Sequence, residues 1–258
     1  MMNRKTFSLA LVFLALYQVS VATVEAQVSR SSTGVVMADR SVTLAAKIVG
    51  RIAAVNVEEG QSVEAGDVLI NIDDAQLRAE RSSARAVLSQ ELVKLDYMKK
   101  LDDRYQSLYE QKSISLDRAE EASFNYEVAR TSVDRARADV ASIEVMLAET
   151  KIEAPFSGVI IVKTAEVGKV TATGESLLLL EDQSTLKFRT SVKEQDIIHI
   201  EYGQEMNITI DALDDLTLVG TVSKIIPSGD VSTHEFTVEV KLPQQDKLYP
   251  GMFGKAEF

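Results

Sequence analysis

The sequence predicts a mixed α and β protein of nested modules: a long antiparallel α-helical coiled-coil hairpin inserted in a split β-sandwich, plus a small β-barrel. Three observations carry this. Shifted by 108 residues, the run 50–74, GRIAAVNVEEGQSVEAGDVLINIDD, lies without a gap on the run 158–182, GVIIVKTAEVGKVTATGESLLLLED. Between the two copies, residues 74–150 contain neither proline nor glycine and are helical in their apolar spacing. After the second copy, short strand signals recur at regular intervals between turn residues.

At the N-terminus, residues 1–26 read as a secretory signal. Arg4 and Lys5 supply the basic start, residues 7–17 the apolar core, and Val24-Glu25-Ala26 a small-residue cleavage site. Cleavage after Ala22 is a rival, and a retained anchor a third outcome, although the apolar run is short for a spanning helix. The chain has no cysteine, so neither a lipid-modified N-terminus nor a disulfide framework is open to it. With 258 residues, 45% of them apolar, it can build more than one core. The net charge of -11 opposes nucleic-acid binding, because phosphate neutralisation dominates that affinity, and serves solubility instead.

Residues 27–45 are expected to supply N-terminal strand to the barrel, chiefly through 34–43. The sandwich follows in two halves, 46–73 and 151–183. A unit this short cannot bury an apolar face alone, so the two copies are expected to pair into one sandwich. Gly60 and Gly66 in the first copy match Gly168 and Gly174 in the second, which assigns all four to turns, with positive φ expected in at least one pair.

Residues 74–150 form the hairpin. Asp73 and Asp74 open it, where capping explains them better than acid-base work. In the first arm Leu88, Leu92, Leu95, Met98, Leu101, Tyr105 and Leu108 recur at spacings of three and four. In the second, Ala122, Tyr126, Ala129, Val133, Ala136, Val140, Ile143 and Leu147 alternate four and three, a coiled-coil seam. Arms of this length reach roughly 50 to 55 Å at about 1.5 Å per residue. The only interruption is Lys112-Ser113-Ile114-Ser115, where Ser115 reads as an N-cap with Asp117, Glu120 and Glu121 behind it.

Residues 184–258 are expected to close a barrel. Strand signals cover 186–192, 205–210, 216–226 and 236–242, with breaks at Gly203, at Pro227-Ser228-Gly229-Asp230 and at Pro250-Gly251. Chemistry has little material here. His199 and His234 suit structural roles better than metal ligation, Met206 and Met252 suit core filling, and no phosphate-binding glycine loop is present. No catalytic, cofactor-binding or metal residue is assigned, and an enzyme is not expected.

The half-motifs EEGQSVEAGDVL and APFSGVIIV, the latter followed by Gly168 and Gly174, resemble the split lipoyl/biotinyl-like domain. Carriers of a swinging cofactor place a lysine between the halves; Ala75 and Gln76 stand there instead, so the resemblance implies no cofactor and disfavours a biotin or lipoyl carrier subunit. Over about 34–258 the arrangement resembles the periplasmic adaptor (membrane fusion) proteins of tripartite efflux pumps, especially those serving resistance-nodulation-division transporters. Leu248-Tyr249-Pro250-Gly251-Met252 adds to the likeness.

That resemblance implies a non-enzymatic adaptor in the periplasm, possible association with the inner membrane included. Its implied partners are an inner-membrane efflux transporter, an outer-membrane channel and further copies of itself in a trimeric or hexameric ring. An ATP-driven exporter is the alternative motor. In the family an Arg, a Leu four residues on and a Ser seven further dock the hairpin tip onto the channel; Arg104, Leu108 and Ser115 stand at that spacing. Many relatives continue past the barrel into a further β-domain resting on the pump. Either the barrel and sandwich make that contact here, or another element substitutes.

Overall fold

A computed structural model describes residues 30–213, 216–229 and 234–258; the expected export signal and its expected cleavage sites lie outside the described residues. In chain order the elements are β1 (Ser31–Ala45), β2 (Gly50–Val55), β3 (Ser62–Val63), β4 (Val68–Ile72), α1 (Ala75–Glu110), α2 (Leu116–Ala148), β5 (Lys151–Glu153) and β6 (Gly158–Lys163). Then come β7 (Val170–Thr171), β8 (Ser176–Lys193), α3 (Glu194–Ile197), β9 (Glu205–Ile210), β10 (Leu216–Ile225), β11 (Glu235–Lys241) and β12 (Phe253–Glu257).

The two sequence copies build one sandwich by bonding to each other. The Gly60 amide donates to the Ile160 carbonyl and the Gly168 amide to the Ile52 carbonyl, each at 2.8 Å. Gly66 donates to Ala154 and Gly174 to Ala46, again at 2.8 Å. The strand ladders obey the same exchange: β2 pairs with β7 at Gly50↔Thr171, and β3 with β6 at Val63↔Gly158. Every turn of one copy is therefore tied to the other, around a core that includes Ile52, Leu69, Ile70, Ile160, Leu177, Leu178 and Leu180.

Gly60 and Gly168 have φ of 81° and 89°, while Gly66 and Gly174 have 90° and 86°. No atom lies within 4 Å of where a Cβ would sit at any of the four. Space does not demand glycine there; the left-handed backbone does.

Six strands close the barrel in the order β1, β12, β9, β10, β11, β8, with β8 pairing back to β1. Phe188, Met206, Ile208, Ile210, Val238 and Val240 fill it. The strand signals missed β12, whose FGKAE run alternates exposed and buried residues between β1 and β9. Nor do β1 and β8 stop at a module boundary. Residues 34–38 of β1 pair with 186–190 in the barrel, whereas residues 40–45 pair with 176–182 in the sandwich. The N-terminal segment thus belongs to both modules, not to the barrel alone.

Between β4 and β5, α1 and α2 pack antiparallel, as cross-helix bonds from Arg85 to Glu144 and from Gln106 to Ser123 require. On α2 the buried residues are Ala119, Ala129, Val133, Ala136 and Val140, all on one four-three stripe. On α1 one expectation fails. Leu92 faces solvent and Glu91 takes its place in the half-buried stripe. The stripe that holds contact runs Ala84, Leu88, Glu91, Leu95, Met98, Asp102 and Tyr105, alternating four and three. A stripe through Leu92 needs successive steps of three, which drift off the face of a 3.6-residue helix.

Candidate functional site

The end of the helical pair farthest from the sandwich is the first candidate. α1 terminates in a Schellman arrangement: the Ser113 amide donates to the Leu108 carbonyl and the Lys112 amide to the Tyr109 carbonyl, both at 2.8 Å. Lys112 occupies the left-handed position, φ 57°, usually given to glycine. This closes the turn without the glycine that such turns usually carry.

The three expected docking residues all lie at this end, with differing exposure. Arg104 is exposed on α1, and Leu108, one turn later, is half-buried rather than free. Ser115 is exposed at the N-cap of α2 with extended backbone, φ -76° and ψ 157°, but its side chain makes no capping bond. Its expected cap role is corrected on that point: Ser115 holds the extended backbone of an N-cap, while its hydroxyl does not bond the first amides of α2. At the other end, Asp74 is the N-cap position of α1 yet makes no cap bond; Asp73 accepts from the Ala75 amide at 3.2 Å instead.

Sequence reasoning passed over two neighbours at the tip. Leu116 is 48% exposed and Tyr109 39%, so apolar surface extends beyond Leu108. Their signal was present, since both fall outside the seam spacing yet are large and apolar. Just below, Ser123 donates to Asp102 at 2.6 Å and receives from Gln106 at 2.8 Å, fixing the two helices in register near the tip.

A second polar cluster sits where sandwich becomes barrel. Arg40 donates through Nε and Nη2 to Asp182, and its guanidinium lies 4.8 Å from the centre of the Phe156 ring. Burial works to raise the Asp182 carboxyl, but bonds from Ser184 and from Arg40 outweigh it and hold the group below its ordinary range. Nearby, Glu239 accepts from Arg189 at 2.6 Å and from Lys187 at 3.1 Å. Burial again opposes its ionisation, and these two cations prevail, holding it low. These are structural clamps between β1, β8 and β11. Among the described residues no group of three or more His, Cys, Asp or Glu side chains is disposed to hold a metal. His234 adopts φ 56° and its carbonyl accepts the Glu194 amide.

A split sandwich carrying a helical pair, joined through shared strands to a closed barrel, defines the architecture of membrane fusion proteins. Residues 40–183 match the family described as RND MFP, barrel-sandwich hybrid domain, and residues 188–258 match the CusB-like, beta-barrel domain. The chain belongs to the RND membrane fusion protein family. It is 31% identical over 184 residues to the uncharacterized protein YdhJ of Escherichia coli strain K12, covering 71% of this chain and 64% of that one. To the multidrug resistance protein MdtA of Proteus mirabilis it is 24% identical over 232 residues, 86% of this chain and 56% of the relative. The chain thus spans well under two thirds of the latter's length. Among solved structures, MacA from Actinobacillus actinomycetemcomitans superposes with a TM-score of 0.77 at 22% identity, over 89% of this chain and 77% of that one, a likeness of fold. Membrane fusion proteins are adaptors of efflux systems, not enzymes.

Proposed function

We propose that this chain is the periplasmic adaptor of a tripartite efflux pump, joining an inner-membrane transporter to an outer-membrane channel and assembling around that path as a ring. The observation that carries the reading is the tip: Arg104, Leu108 and Ser115 share the far end of a helical pair about 50 Å long. Two of them have side chains with no structural duty there. Arg104 is exposed and Ser115 makes no cap bond. A fork-shaped donor, a half-buried leucine and a free hydroxyl form a small docking patch, the leucine giving burial and the polar groups fixing register. The sandwich and barrel serve as the platform that holds the arm upright, and the exported compounds need not touch them.

Arg104→Glu and Leu108→Asp test this. Both are expected to abolish efflux complementation and site-specific cross-linking to the channel while helical content stays at the wild-type level. Ser115→Ala is expected to leave thermal stability within about 0.5 kcal/mol, because no cap bond is lost. Normal efflux by both charged variants would overturn the docking role.

A further inference from the structure

Beside the base of the helical pair lies a groove of about 1210 Å³, bounded by β1, the first turns of α1, the end of α2 and β5. Its apolar floor includes Val42, Leu44, Leu147 and Ile152. The volume exceeds the several hundred Å³ usual for a small-ligand pocket.

Two strand edges open onto it. Along residues 40–45, β1 pairs with β8 on one side only; its pairing with β12 ends at Val35. Among the described residues, the main chain of 40–45 bonds to nothing but β8. β5 is the terminal strand of the second sheet, and the internal repeat makes it the counterpart of this part of β1. Thr43 pairs with Leu179 and Leu44 with Leu178, as Lys151 pairs with Asn71 and Ile152 with Ile70. In an antiparallel strand alternate residues turn both N–H and C=O to the same edge, so every second residue of this stretch carries an unpaired donor and acceptor.

Edges exposed in this way are normally blunted by lysine, proline or a bulge. Here the register irregularities fall at the ends of the stretch, between Ala38 and Arg40 and between Leu44 and Ala45. Ser41, Val42, Thr43 and Leu44 between them include no such guard. Lys47, just past the end, is engaged by Glu149 at 2.7 Å. Asp74 and Arg78 likewise neutralise each other at 2.8 Å. That leaves Arg81 and Lys151 in no ion pair among the described residues, facing only Glu153 as a lining carboxylate outside those pairs. In a chain of net charge -11, this groove carries a cationic surplus.

We propose that the groove is a strand-addition site for an extended segment of a partner polypeptide. The segment is apolar at alternate positions, pairs its main chain with the open edge of β1, and sets an acidic side chain against Arg81 and Lys151. Main-chain bonds give such a complex its affinity and the alternate side chains its selectivity. The site is separate from the tip and does not depend on channel docking.

A display library of random octapeptides, selected on the full chain, tests it. Recovered sequences are expected to alternate apolar and polar residues and to include Asp or Glu. They are expected to bind about tenfold more weakly once Ser41→Lys and Thr43→Lys place charges on the edge. Arg81→Gln with Lys151→Gln is expected to erase the preference for acidic members while alternation persists. Hydrogen exchange in the wild-type chain is expected to slow at residues 40–45 when a selected octapeptide is bound, a readout that stands even if the lysine variants fail to fold. Sequences without alternation, binding unchanged in the lysine variants, or protection elsewhere overturns the proposal. So does a wild-type dimer that Thr43→Lys dissociates, which assigns the edge to a second copy.

Discussion

Lys112 is held in a conformation that suits glycine, at φ 57°, and its own amide is bonded within the Schellman turn. Left-handed backbone costs an L-residue roughly 1 kcal/mol, so Lys112→Gly is expected to stabilise the chain by about that amount, read as a raised denaturant midpoint. Glu175 offers a second single-residue test. Its carboxylate accepts from Lys169 and from the Ala172 amide, and these bonds lower its pKa from 4.5 to about 2. A depressed folded-state value means the stabilisation is complete above the unfolded value and is lost as pH falls through the folded one. Carbon-13 titration of the Glu175 carboxyl is therefore expected to show a midpoint at about 2, moving up toward 4.5 in Lys169→Gln. The equivalent turn in the first copy uses Asp67 on the Glu64 amide, with Gln61 where Lys169 stands, and lacks the charged pair. At this scale the turn glycines were legible, because positive φ leaves few alternatives. Lys112 was not, since a left-handed lysine has no signature in composition or spacing.

Among the elements, the stripe on α2 could be read directly, because its four-three alternation never slips. α1 misled, since Leu92 is apolar and Glu91 is not, yet the geometry of a paired helix selects position before chemistry. Glu91 places its Oε2 in the interface without a hydrogen bond, with only Lys94 at 3.7 Å. A polar group in such a seam fixes register at a cost in stability. Glu91→Leu is expected to stabilise the helical pair by roughly 1 kcal/mol, measured as a higher thermal midpoint. β12 escaped notice because a strand of five residues containing a glycine and a lysine carries little β-propensity of its own; its partners on both sides determine it.

For the molecule as a whole, the sandwich was visible because a repeat is a statement about pairing as well as about sequence. The continuity of β1 and β8 through both modules was not, because alternation along a strand says nothing of which sheet it enters. The open edge of β1 is invisible in sequence for the same reason: it is defined by a partner that stops at Val35. Since the turn bonds run between the copies and not to the helices, removing residues 76–148 in favour of a short glycine-serine linker is expected to leave sandwich and barrel folded. Circular dichroism is expected to show loss of helix with a cooperative β transition retained.

The exchange of turn bonds at an offset of 108 residues also defines a symmetry. Gly60 reaches Ile160 as Gly168 reaches Ile52, which is the relation between two subunits about a dyad, written here within one chain. A single half, released from the other, has these donors aimed at acceptors that only a second half can supply. The sandwich thus has the geometry of a two-fold dimer held within one chain, and the long helical pair stands where a linker between its halves would run.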